Sequence, residues 1–137
     1  MILLDTGPFV ALFDPRDHQH RRCDRRLQEL TEPLATTVPV LVEAFHILGP
    51  ASFGARRLRE FLRRGGVRVV QMDASALNRA YDLMDRYADH PMDLADASLI
   101  VAAELLPTRK IFTLDRSDFS TYRIQRGKRH EPVEIVS

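Results

Sequence analysis

Four acidic residues of this chain stand in apolar surroundings where an ionised side chain is unusual. Asp5 and Asp115 follow short apolar runs typical of strands, whereas Glu43 and Asp96 lie inside apolar segments typical of buried helices. Ionised carboxylates are rarely buried unless something pairs with them. A divalent cation is such a partner, since Mg²⁺ and Mn²⁺ prefer oxygen ligands. If the four residues converge, they predict a cation site suited to phosphodiester hydrolysis.

Each of these carboxylates also has an ordinary structural explanation. Asp93, just before Asp96, is typical of a helix cap, where negative charge is favoured in any case. Asp5 and Asp115 both precede turn-forming residues. The ordinary explanation for Glu43 is a contact with a histidine on the same helix face. It is the weakest of these explanations, because the other neighbours of Glu43 are apolar. The four residues together are stronger evidence for a cation site than any one of them alone.

Short apolar runs alternate with helical segments along the whole chain. The predicted strands are 2–4, 34–36, 67–70 and 111–114, with 133–136 as a candidate fifth strand at a sheet edge. The predicted helices are 9–13, 17–32, 38–48, 51–64, one that begins after Asp73, and 94–106. This alternation predicts an α/β fold, a three-layer α/β/α sandwich around a mostly parallel sheet of four or five strands. Residues 1–137 are expected to form a single domain. The carboxyl ends of parallel strands line a ligand crevice, where the four acidic residues can meet.

The composition narrows the class of protein. Hydrophobic residues make up 45% and charged residues 28% of the chain, which are ordinary globular values. No apolar run approaches the roughly 20 residues of a membrane helix, and a basic leader is missing, so a cytoplasmic protein is expected. Cys23 alone permits neither an internal disulfide nor a thiolate zinc site. Basic residues cluster in three groups that can bind a nucleic-acid backbone if they flank the acidic crevice. The groups are 21/22/25/26, 56/57/59/63/64 and 126/128/129.

Four segments of the sequence resemble a known family. They are MILLDTGPFVALFD, PVLVEAFHIL, MDLADASLIVAAE and IFTLDRSDF. They resemble the PIN-domain ribonucleases, and the branch that looks most similar comprises the toxins of VapBC-type toxin–antitoxin modules. The resemblance runs from Ile2 to about Phe119. It implies a PIN-like fold, metal-dependent endoribonuclease activity with Mg²⁺ or Mn²⁺ as cofactor, an RNA substrate, a homodimer and a cognate antitoxin.

The resemblance also assigns roles to individual residues. Asp5, Glu43, Asp96 and Asp115 match the four acidic positions of the family in order. Asp5, Asp96 and Asp115 are then expected to hold the metal directly or through water, with Glu43 positioning or deprotonating the attacking water. The expected secondary residues are Thr6, Thr113, Asp93 and Asp118.

Two other classes of function remain open on the sequence. One is a catalytically silent scaffold that binds RNA or protein, although the complete set of acidic residues disfavours it. The other is a phosphoreceiver-type signalling domain, which needs a pair of acidic residues on the first strand and a lysine at the end of the last. Here Asp5 is unpaired and that lysine is missing. A haloacid-dehalogenase-like phosphatase would need an aspartate where Gly7 stands.

Overall fold

Five parallel strands form the central sheet of the protein, and helices cover both of its faces. The computed structural model describes all residues from 1 to 137. In chain order the elements are β1 Ile2–Leu4, α1 Thr6–Phe13, α2 His20–Glu29, β2 Leu34–Thr37, α3 Val38–Leu48, α4 Phe53–Arg63, β3 Arg68–Val70, α5 Ala74–Arg86, α6 Leu94–Leu105, β4 Lys110–Phe112, α7 Arg116–Thr121, β5 Arg123–Arg126, β6 Arg129–Pro132 and β7 Glu134–Val136. The predicted three-layer α/β/α sandwich is confirmed.

The strand order determines where a site can form. The sheet runs β3-β2-β1-β4-β7, so the chain moves outward from β1 to β3 and then returns to the other side of β1. Right-handed crossovers therefore place the β1–β2 and β2–β3 connections on one face of the sheet and the β3–β4 connection on the other, and α3 of the first group also packs against α6 of the second. The reversal lies between β1 and β4, and in open α/β sheets the ligand crevice forms at such a point. Asp5 follows β1 there, and its backbone N donates to Phe112 O of β4 at 3.0 Å.

Helix α6 is the most deeply buried helix of the protein. Ala95 and the whole stretch from Ala97 to Ala103 are buried, and most of these side chains are small. Small side chains let the helix approach the sheet closely, as the 2.6 Å contact between the hydroxyls of Thr37 and Ser98 shows. A helix that is apolar on all sides is expected to be buried in this way. None of the seven helices combines the length and apolarity that a membrane crossing requires.

The structure differs from the sequence predictions mainly at the ends of elements. Helix α1 begins at Thr6 rather than at residue 9, because Asp5 caps it and Pro8 is tolerated in a first turn. Helix α2 begins at His20, since the side chain of Asp17 accepts from Gln19 N in a preceding turn. The candidate fifth strand is confirmed as β7, at the sheet edge beside β4. Helix α7 and the antiparallel β5–β6 hairpin are not predicted by the sequence patterns.

Candidate active site

The acidic residues singled out in the sequence line one open cleft of about 770 Å³. We call it the acidic cleft, and its carboxylates are Asp5, Asp17, Glu43, Asp93, Asp96, Asp115 and Asp118. His18 and Arg116 are the basic residues among its lining. The structure thus brings together all four predicted catalytic residues, which come from the end of β1, from α3, from α6 and from the segment after β4. Their catalytic roles stay a prediction.

Asp5 is the most buried carboxylate of the cleft, with 8% of its surface exposed. Its Oδ1 accepts a hydrogen bond from Thr6 N at 2.7 Å, and its Oδ2 accepts one from the Thr113 hydroxyl at 2.7 Å. Burial nevertheless raises the pKa of Asp5 from 3.8 to about 6, and the charges of Glu43 and Asp93 contribute to the rise. The two hydrogen bonds therefore fix the orientation of the Asp5 carboxylate, but they supply no positive charge to balance it.

Asp96 lies in the first turn of α6 and faces the same cleft. The predicted cap is confirmed, because Asp93 Oδ1 accepts a hydrogen bond from Asp96 N at 2.8 Å. This hydrogen bond uses the backbone of Asp96 and leaves its side chain available. The side-chain Oδ2 accepts a hydrogen bond from the Tyr122 hydroxyl at 2.9 Å. Burial first, and then the charges of Asp93 and Asp5, raise the pKa of Asp96 from 3.8 to about 8. Its ionised form is strongly disfavoured without a cation.

Asp115 combines a structural role with a position in the cleft. It is the N-cap of α7, where its Oδ1 accepts from Asp118 N at 3.0 Å, and its own N donates to the Thr113 hydroxyl at 3.0 Å. Burial foremost, with a contribution from Asp118, raises the pKa of Asp115. Asp118 in turn lies 2.5 Å from His90 Nε2. The ordinary role of Asp115 is thus to cap a helix and not only to precede a turn, and this role leaves its second carboxylate oxygen for other ligands.

Of the four predicted catalytic residues, Glu43 contributes least to the structure of the protein. It is half-buried on α3 and takes part in none of the ion pairs of the chain. Burial and the charge of Asp93 raise its pKa. The histidine on the same helix face is His46, and its side chain is exposed to solvent. No ion pair within the protein therefore stabilises the charge of Glu43.

The donors of the cleft suit a hard divalent cation by their chemistry. All of the predicted ligands are carboxylates, and the Thr6 hydroxyl beside them is buried without a hydrogen-bond partner. No three His, Cys, Asp or Glu side chains stand in an arrangement that would hold one ion together. Mg²⁺ commonly keeps several waters and binds through one or two carboxylates, so the cleft fits that mode rather than an all-protein cage.

Two residues that contact the acidic residues of the site were not identified from the sequence. Tyr122 is fully buried against Phe119 and Tyr87, with ring centroids 5.2 Å apart in each pair, yet its hydroxyl reaches Asp96. His90 reaches Asp118 from the loop before α6. No sequence pattern marks a tyrosine in a polar tail or a histidine in a loop as a site residue, because the residues that they contact are distant in sequence. Only the path of the chain brings them to the cleft.

Replacing Tyr122 with Phe tests whether this hydroxyl orients Asp96. A lost hydrogen bond to a metal ligand typically costs about 10- to 100-fold in metal affinity or activity, and we expect that loss for Mn²⁺ binding measured by calorimetry. Tyr87→Phe is the matched control, since it removes a hydroxyl of the same aromatic cluster that accepts from Arg123 N at 3.0 Å instead. Equal losses of Mn²⁺ affinity in the two variants would contradict a specific role for Tyr122.

Comparisons with known proteins agree with this architecture. The family model described as the PIN domain matches residues 2–124. Over 131 residues the chain is 27% identical to ribonuclease VapC26 of Mycobacterium tuberculosis (strain ATCC 25618 / H37Rv), a match that covers 93% of this chain and 96% of that protein.

Two solved structures share the fold. The crystal structure of Mycobacterium tuberculosis VapC20, described as a sarcin-ricin loop cleaving toxin, matches with a TM-score of 0.76 at 20% identity, covering 86% of this chain and 92% of that one. A toxin–antitoxin complex from Klebsiella pneumoniae matches with a TM-score of 0.69 at 20% identity, covering 88% and 92%. The resemblance drawn from the sequence is confirmed, and the chain belongs to the PIN-domain family.

Proposed function

We propose that this chain, as a single PIN-like domain spanning residues 1–137, is a metal-dependent endoribonuclease and the toxin of a toxin–antitoxin pair. The observation that carries the proposal is the convergence of Asp5, Glu43, Asp96 and Asp115 in one cleft at the point where the strand order reverses. The similarity to ribonuclease VapC26 along nearly the whole chain supports RNA as the substrate. The cofactor is Mg²⁺ or Mn²⁺.

The surroundings of the four carboxylates suit them to different roles in the reaction. Asp5 and Asp96 are oriented by hydroxyl groups and, with Asp115, would hold the cation directly or through water. When bound, the cation polarises a phosphoryl oxygen and lowers the pKa of water. Glu43 has a raised pKa and no ion-pair partner, which suits it to orient the attacking water and accept its proton. Hydrolysis then breaks the bond from phosphorus to the leaving ribose oxygen.

A cognate antitoxin and a homodimer are the partners that we propose. The Klebsiella pneumoniae neighbour is a toxin–antitoxin complex, which supports the first of these. Several large apolar side chains of α3 are exposed and offer surface for either partner, namely Val38, Val42 and Ile47. Light scattering of the purified chain, alone and together with the product of a neighbouring gene, measures both associations.

The most direct biochemical test uses purified protein and a pool of cellular RNA with Mg²⁺, Mn²⁺ or a chelator. We expect discrete products that depend on the cation and that lack a 2′,3′-cyclic phosphate, because water rather than the ribose 2′-hydroxyl is the nucleophile. Cyclic-phosphate ends formed in chelator would reveal a contaminating ribonuclease. Tight RNA binding without any cleavage would favour the silent scaffold instead.

Expression in cells tests the toxin assignment separately. We expect the wild-type chain to arrest growth and the Asp5→Ala variant to permit it at equal protein level, because Asp5 is placed in the metal site. Immunoblotting verifies that both proteins accumulate to the same amount. Equal growth of the two strains would count against a toxin, even if cleavage is seen in vitro.

A further inference from the structure

The acidic cleft is poorly suited to hold a nucleic acid without help from its surroundings. Its carboxylates outnumber its basic lining residues, His18 and Arg116, and would repel phosphates on either side of the cleaved bond. A cation offsets this repulsion only at the reacting phosphate. The remainder of a bound strand therefore needs positive charge close to the cleft.

A second groove of about 400 Å³ beside the acidic cleft has the opposite charge. We call it the arginine groove, and its lining residues are His18, Arg21, Arg22, Arg25, Arg26, Glu29 and Ser137. His18 lines both the groove and the cleft. The Ser137 hydroxyl accepts from Arg22 Nη2 of the groove at 3.3 Å and from Arg116 Nη2 of the cleft rim at 2.5 Å. The two surfaces are therefore continuous.

The arginines of this groove are only weakly neutralised within the protein. Arg26 pairs with Glu29 at 3.1 Å, but its Nε is buried without a hydrogen-bond partner. None of the other three arginines forms an ion pair. Arg21 and Arg25, like Arg22 and Arg26, are spaced four residues apart on α2, and like charges at that spacing destabilise a helix. The isolated protein thus carries a repulsion that an anionic ligand relieves.

Helix α2 also contributes little to the core. Cys23 is its one buried residue, so most of the helix surface faces solvent and presents charge. Of the three basic groups in the sequence, this is the one that adjoins the cleft. The lining of the cleft and of the groove includes no residue of the α4 group or of the group at 126/128/129. Two arginines of the α4 group can therefore be replaced as a control that removes the same charge as two arginines of the groove.

We propose that the arginine groove binds the phosphate backbone of the RNA strand next to the cleaved bond, with Arg21, Arg22 and Arg25 as its phosphate contacts. The identity of the strand as RNA rests on the proposed function. Arginine suits this role because its planar guanidinium donates in a fork that matches phosphate oxygens. The binding is set by charge and carries little base preference.

The test measures RNA affinity as a function of salt, with Arg21→Gln/Arg25→Gln compared with Arg56→Gln/Arg63→Gln on α4. Both double variants lose the same charge, and both are made in an Asp96→Asn background so that a labelled single-stranded RNA stays intact. At about 0.7 per single-strand phosphate, loss of two contacts makes the slope of log K against log salt shallower by about 1.4. We expect this change in the groove variant and none in the α4 variant. Identical slopes in the two variants would overturn the proposal.

Further outcomes separate this proposal from the nuclease activity. With Asp96 intact, we expect the groove variant to raise KM and leave kcat nearly unchanged, since it removes binding shared by the ground and transition states. If the protein binds RNA through the groove but never cleaves it, the proposed function fails and the groove assignment stands. A groove variant that loses binding to poly-glutamate but keeps its RNA affinity would show a site for an acidic protein and overturn the assignment.

Discussion

Asp96→Asn is expected to abolish metal-dependent RNA cleavage while leaving the metal-free protein at least as stable as the wild type at pH 8. The substitution removes a negative charge from a cleft in which burial and the charges of three neighbouring carboxylates already disfavour it. Its amide oxygen can still accept the hydrogen bond from Tyr122. Loss of a partner that merely supports a metal ligand costs about 10- to 100-fold, so loss of a ligand charge should cost at least about 100-fold in rate.

The matched control for this variant is Asp73→Asn. Asp73 caps α5 through a hydrogen bond from Ala76 N at 2.8 Å, much as Asp93 caps α6, but it does not line the acidic cleft. Asn and Asp are nearly equivalent as helix caps, so stability and cleavage should both be retained. A large destabilisation in Asp96→Asn, measured by urea unfolding in chelator, would show that Asp96 is a structural residue and contradict its role in the metal site.

The stability of the metal-free protein should fall as pH rises from about 4 to about 8. The folded state raises the pKa of Asp96 to about 8 and that of Asp5 to about 6, both from 3.8. A group with a raised pKa in the folded state binds its proton more tightly there than in the unfolded chain. Its contribution is thus complete below the unfolded pKa and is lost as pH approaches the folded pKa.

A divalent cation should reverse this pH dependence. Because the ligands must lose their protons to bind metal, Mn²⁺ should raise the melting temperature more at pH 8 than at pH 5. The difference in unfolding free energy between wild type and Asp96→Asn isolates the Asp96 contribution from that of other carboxylates. A difference that stays constant from pH 5 to pH 8 in chelator would contradict the raised pKa of Asp96.

The sequence is sufficient to predict the main features of the fold and the acidic residues that the structure brings together in the cleft. Apolar runs that end at an acidic residue predicted β1 and the approach to Asp115, and the apolar stretch at 94–106 predicted α6. These signals are local, because burial on both faces of a parallel sheet requires nearly continuous apolar segments. The convergence of the acidic residues followed from the general position of crevices in parallel sheets.

The parts that the sequence did not predict depend on contacts between distant residues. The pairing of Tyr122 with Asp96 requires α7 to direct the chain back across α6, and α7 itself depends on Asp115 as its cap. Helix α2 begins later than the sequence predicts because Asp17 forms a turn instead of a cap. Which basic group adjoins the cleft also required the structure, since all three look alike in composition.

The most direct measurement is the single-turnover rate at which wild type and Asp96→Asn cleave one purified substrate RNA as Mn²⁺ is titrated from chelator upward. The cleft predicts a wild-type rate that is negligible in chelator and saturates with Mn²⁺, and a variant rate at least about 100-fold lower at every concentration. Cleavage by the wild type that is unaffected by chelator, or equal rates for the two proteins, would contradict a metal-dependent site built on these carboxylates.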